Sequence, residues 1–117
     1  MQDISGSIRY RDHDYRIVFN LNVMEQIQDK YGTMEKWGEL TDGSGGEPNA
    51  AALKFGFWAM LNEGIEMDNE DNGSDTKPLT LNKVGRMISE IGLGTAAIEL
   101  NKAVVASTKM ADDTKKE

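Results

Sequence analysis

The side chains that could do chemistry are few, and each set lacks a partner. Asp68-Asn69-Glu70-Asp71-Asn72-Gly73 places acidic or amide groups at alternate positions and glycine sixth, as a calcium-binding loop does. Such a loop needs a bidentate carboxylate at its twelfth position, and Leu79 stands there, preceded by Pro78. The stretch is therefore expected to be a solvated, mobile loop and not a metal site. His13 is the single histidine, so a histidine-rich metal site is excluded, and a Ser-His-Asp arrangement would depend on a residue expected in a hairpin turn. Gly43, Gly45 and Gly46 lack the lysine of a phosphate-binding loop. The carboxylates cluster in wet sequence, where nothing pushes two pKa values apart for acid–base work. No cysteine is present, which removes disulfides, thiolate metal sites and thiol nucleophiles. No enzyme, cofactor or metal is expected.

The elements that carry these residues follow from periodicity. Ile8, Tyr10, Tyr15, Ile17 and Phe19 alternate with polar residues around Asp12-His13-Asp14, which predicts a β-hairpin with one apolar face. That face needs a helical layer to dock on, because an isolated hairpin is marginal in water. If Tyr10 pairs with Tyr15, Arg9 falls opposite Arg16 with Arg11 beside them. Such a cluster of like charges is either an outward wet face or a patch awaiting an acidic partner.

Asn20 or Asn22 caps a first helix with Leu21, Met24, Ile27 and Tyr31 as its stripe, ended by Gly32. Thr33 opens a short piece through Trp37 to Leu40, and 41–48 is a glycine-rich loop. Asn49 caps a helix expected over 50–63 and closed by Gly64. This helix is apolar nearly all round: Leu53, Phe57, Met60 and Leu61 form one face, while Phe55, Trp58 and Ala59 cover much of the rest. Such a helix is either central to a core or shared with a partner. An acidic loop is expected over 67–77. Thr80 then caps a helix with Leu81, Val84, Ile88 and Ile91, and after Gly92 and Gly94 Thr95 caps a last one carrying Ala97, Leu100 and Val104. Of the methionines, Met60 and Met87 fall on these stripes and are expected in the core.

The whole is a mainly α domain over residues 1–110: an N-terminal β-hairpin packed on a small bundle of about four to five helices, followed by a charged tail at 111–117. With 38% hydrophobic and 28% charged residues the chain of 117 folds around one core. A net charge of −7 and a pI near 4.7 argue against nucleic acid or an anionic membrane as partner. The longest apolar run, 50–61, contains Lys54 and is too short to span a bilayer, and the N-terminus has no secretion signal. A soluble, cytoplasmic protein is expected. Residues 81–103 superficially read as a helix-turn-helix, but the would-be reading helix offers Glu99, Asn101 and a lone Lys102. A small DNA-binding regulator is the alternative kept beside protein binding.

The order of the pieces carries a resemblance. Arg16-Ile17-Val18-Phe19-Asn20-Leu21-Asn22 leads into Met24-Glu25-Gln26-Ile27 and Lys30-Tyr31-Gly32. Then come Phe55-Gly56-Phe57-Trp58-Ala59-Met60-Leu61, an acidic stretch, and Leu79-Thr80-Leu81-Asn82-Lys83-Val84-Gly85-Arg86-Met87-Ile88. From about Tyr15 to Ala106 this resembles the tail assembly chaperones of siphophages and prophages, with the glycine loop and the long acidic stretch as departures. The resemblance implies a non-catalytic protein of the bacterial cytoplasm that binds the tape measure protein and helps tail tube subunits assemble; another small phage structural protein shares this composition. It also implies a longer frameshifted form, for which the codons of Lys115-Lys116 could supply a slippery run. The partner-binding residues expected on this basis are Phe55, Trp58 and Ala59 of the third helix, with Arg9, Arg11 and Arg16 as the possible acid-binding patch.

Overall fold

The computed structural model describes residues 6–42 and 46–115, with side chains described through Ser107; the glycines at 43 and 45 and Lys116 lie outside the described residues. A two-stranded antiparallel hairpin, β1 (Gly6–Tyr10) and β2 (His13–Ile17), precedes five helices. These are α1 (Leu21–Tyr31), α2 (Met34–Thr41), α3 (Ala50–Asn72), α4 (Leu81–Ile91) and α5 (Leu93–Lys115). The mainly α architecture with a docked hairpin is the one expected from the sequence. The helical backbone of α5 runs past Ala111, where a frayed tail was expected.

Four side-chain caps set the helix starts. Asn20, Thr33, Asn49 and Thr80 accept hydrogen bonds from the backbone N–H groups of Val23, Lys36, Ala52 and Lys83. Each relieves one of the unpaired donors of a first turn. Asn20 has a second task, because its Nδ2 donates to Glu63 of α3 at 2.7 Å while its Oδ1 caps α1. This double bond fixes the roll of α1. Val23 and Ile27 point into the core, Met24 and Tyr31 lie at its edge, and Leu21, expected on the stripe, is 76% exposed. A similar rotation holds in α5, whose buried residues are Ala96, Leu100 and Ala103, with Ala97 and Val104 half-buried. No Thr95 cap is used there: α4 and α5 meet at Gly92 alone.

The hairpin register differs from the expectation by two residues. Tyr10 pairs with His13, Ile8 with Tyr15 and Arg9 with Asp14, around a two-residue turn at Arg11-Asp12. Both turn residues have positive φ (52° and 66°), the left-handed pair that matches strand twist in a type I′ turn. The apolar face remains as expected, with Ile8, Tyr10, Ile17 and Phe19 buried.

α3 is the centre of the molecule, touching β2 and the other four helices. Its buried residues include Leu53, Phe57, Met60 and Leu61, together with two glycines. Gly64 does not end the helix. A Cβ there would stand 3.0 Å from the Arg16 carbonyl oxygen, so the missing side chain lets β2 cross against the helix. The crossing is close enough for the Val18 N–H to donate to the Met60 carbonyl at 3.4 Å. Gly56 plays the same part for α2, since a Cβ there would collide with the Trp37 ring and approach Leu100 Cδ1 to 3.3 Å. The helix continues to Asn72 and ends at Gly73 in the left-handed conformation (φ 68°), so the expected acidic loop is half helix.

The remaining 73–79 segment is fastened to α3 and is not a free loop. Asn69 exchanges two hydrogen bonds with the backbone of Thr76, both at 3.0 Å. Asn62 does the same with Leu79, at 2.7 and 3.0 Å, one carboxamide standing in for a strand neighbour at each place. Trp58 adds a third bond, its indole N–H donating to the Leu79 carbonyl at 2.9 Å.

Two substitutions separate packing from helix propensity. Gly56→Ala drives a methyl group into the buried Trp37 ring and is expected to cost about 1–3 kcal/mol. Gly38→Ala, in the interior of α2 with nothing within 4 Å of its Cβ position, is expected to stabilise by roughly 0.5–1 kcal/mol. Urea unfolding of the two variants beside the parent measures both signs.

Candidate functional site

Between α1, α2 and α5 the packing leaves an open groove of about 290 Å³. Its floor is Phe19, Trp37 and Leu100, and its walls include Met24, Met34 and Val104. The polar atoms near the floor are already satisfied. The Trp37 indole N–H donates to the Ala52 carbonyl at 3.0 Å, and the Thr41 hydroxyl donates to the Trp37 carbonyl at 3.1 Å. What faces outward is therefore apolar and adaptable, since methionine side chains re-pack at little cost.

The groove is open at Gly38, where a side chain would project into unoccupied space. Its charged lining residues are both acidic, Glu35 on α2 and Asp42 at its C-terminal cap. Glu39 follows Glu35 by one turn and is exposed on the same edge of the helix. Along the opposite lip, Asn101 stands beside Ile98 and Val105, seven residues apart on α5 and 58% and 51% exposed. Large aliphatic side chains so exposed on one helical edge extend the groove's apolar surface outward.

The residues expected to bind a partner are placed differently from that expectation. Ala59 is 2% exposed and belongs to the core, so it offers nothing to a partner. Phe55 and Trp58 are half-buried and stack on one another with ring centroids 5.5 Å apart. Tyr31 meets the Phe55 ring edge-on at 5.9 Å, and Lys30 lies over Phe55 at 5.4 Å. Burial pushes the Tyr31 phenol above its ordinary pKa. Trp58 spends its N–H on the 73–79 segment. None of these aromatic residues lines the groove, and the cluster works as a clasp within the chain.

The arginines do not form a patch of unmatched charge. In the observed register Arg9 pairs with Asp14 at 3.0 Å across the hairpin, and Arg16 pairs with Asp68 of α3 at 2.8 Å. Arg11, at the turn, reaches Glu90 of α4 at 3.1 Å. The acidic side chains that complement them are the chain's own. Exposed pairs of this kind contribute little to stability, but they leave the cluster nearly neutral.

Asp68 and Asn69 are occupied with Arg16 and Thr76, within a helical backbone that no calcium loop would have. Among the described residues no group of three His, Asp or Glu side chains is arranged to hold a metal ion. None of the described helices is long and apolar enough to cross a membrane. The α4–α5 pair lacks the three- to four-residue turn of a DNA-reading helix pair, and Lys102 on its second helix lies 3.5 Å from Glu99. Comparison with protein-family models, with curated proteins and with solved structures gives no match.

The clasp generates a testable expectation. Asn62→Ala removes the partner of the Leu79 N–H and is expected to cost about 1–3 kcal/mol. It should also open the 73–79 segment to limited proteolysis. Cleavage at the parent rate would mean that the carboxamide bonds do not hold this segment.

Proposed function

We propose that this chain is a non-catalytic binding protein of the tail assembly chaperone type, which covers apolar helical surface of a phage tape measure protein during tail assembly. One observation carries the reading: an open, methionine-walled groove in a fold whose buried side-chain polar atoms, among the described residues, all have partners. The hairpin, the glycine-ended first helix, the aromatic third helix and the threonine-capped fourth occur in the order on which the resemblance to that family rests.

The physics suits the task. A tape measure protein is a long helical chain whose apolar face promotes aggregation until tail tube subunits enclose it. An amphipathic helix laid in a groove is a recurrent way to cover such a face. The excess of 20 acidic over 13 basic residues would keep the resulting complex soluble in the bacterial cytoplasm.

Co-expression with the tape measure protein of the same phage or prophage tests this directly. The expected result is transfer of the tape measure protein from the pellet to the soluble fraction, with the two chains co-purifying. A tape measure protein that sediments equally with and without this chain contradicts the proposal.

A further inference from the structure

The groove has two unlike edges, and that asymmetry says what kind of surface fits it. On α2, Glu35 and Glu39 stand one turn apart, with Asp42 one turn further on the same side. On α5 the described part of the corresponding lip carries Ile98, Asn101 and Val105, with Lys102 beside them paired to Glu99. Lys36 lies on the far side of α2 from the groove-lining residues, and Lys102 is engaged with Glu99. The floor between the edges is Trp37 and Leu100, flanked by Met24 and Met34. With eight residues, α2 offers an acidic edge roughly 12 Å long, the length of about two helical turns.

We infer that this groove docks an amphipathic helix with lysine or arginine along the edge that meets α2. The occupant's apolar face covers the half-buried Met24, Met34 and Val104 that rim the buried Trp37 and Leu100, and its second edge, also apolar, packs over Ile98 and Val105. Its basic residues meet Glu35 and Glu39, so the acidic edge of α2 sets the orientation in which the helix lies. This deepens the partner-binding proposal above by naming the site and the chemistry of its occupant. It also moves the site away from Phe55 and Trp58, which the fold has already engaged.

Gly38 makes the test clean. A side chain there starts in open space, its Cβ meeting nothing within 4 Å, and leucine is a better helix former than glycine, so Gly38→Leu should fold while filling the groove. The probe is a synthetic two- to three-turn amphipathic peptide with a leucine face and one lysine edge, beside a twin whose lysines are replaced by glutamate. Binding is read by calorimetry on the intact chain. The lysine-edged peptide is expected to bind saturably and the glutamate-edged twin at least about tenfold more weakly, a difference of about 1.4 kcal/mol or more. Gly38→Leu leaves the net charge unchanged and should still lose about tenfold or more. Glu35→Gln with Glu39→Gln should weaken the lysine-edged peptide alone. Glu70→Gln with Asp71→Asn, the same change in charge on the exposed end of α3, should not.

Equal binding by the parent and Gly38→Leu overturns the inference, as does equal binding of the two peptides. If the parent self-associates and Gly38→Leu is monomeric, the occupant is a second copy of the chain and the inference also fails. The two proposals fail separately. A tape measure protein still held by Gly38→Leu sinks the groove and spares the chaperone reading. A parent chain that binds the lysine-edged peptide but not the tape measure protein does the reverse.

Discussion

The seating of Trp37 on Gly56 is the contact from which the rest of the structure takes its shape. The indole lies where α3 has no side chain, and its N–H donates to the Ala52 carbonyl one turn earlier on the same helix. Leu100 of α5 reaches the same glycine from another side. One missing side chain thus admits both α2 and α5 to the centre of the molecule. Trp37 and Leu100 also form part of the groove floor, so the core contact and the candidate binding surface are two sides of the same pair. Eight residues along, Gly64 does for β2 what Gly56 does for α2. The central helix is consumed by the fold at its glycines as much as at its leucines.

These contacts bear on a question that α3 leaves open when it is read as a string of residues. A helix apolar on nearly every side is either the centre of a core or part of an interface. Here Leu53, Phe57, Ala59, Met60 and Leu61 are all buried, and the remaining aromatic pair is held by Tyr31, Lys30 and the Leu79 carbonyl. The buried face of α3 thus belongs to the core. Exposed aliphatic side chains lie off this helix, at Leu21, Leu81 and Leu93 as well as at Ile98 and Val105, and the apolar groove lies at the meeting of α1, α2 and α5.

Local chemistry was legible in the sequence wherever it was decided within a few residues. The caps at Asn20, Thr33, Asn49 and Thr80, the end of α1 at Gly32 and the apolar face of the hairpin all follow from residue type and spacing. Met60 and Met87 lie in the core, as their stripes require. What escaped was decided at a distance. Gly64 looks like a terminator until Arg16 is seen to lie against it, and Leu21 looks buried until Glu63 is seen to fix the Asn20 cap. The hairpin register turned on two residues, Arg11 and Asp12, adopting left-handed geometry that neither strongly advertises. Asn62, Ile65 and Asn69 do recur at helical spacing, a sign that α3 outruns Gly64, but the acidic residues among them read as loop. The groove was least legible, because its lining comes from four separate stretches of chain: Phe19, then Met24, then the face of α2, then α5. Its sequence signals were two methionines ten residues apart and a glycine inside a short helix, each unremarkable alone.

The two tryptophans provide the most direct measurement, since one stands in the groove floor and the other in the aromatic clasp. Each gives one indole N–H signal in a nitrogen-labelled chain. On titration with the lysine-edged amphipathic peptide, the Trp37 signal is expected to move with the binding curve while the Trp58 signal stays in place. Movement of Trp58 with Trp37 unchanged would put the partner on the third helix, and would contradict the groove between α1, α2 and α5 as the binding surface.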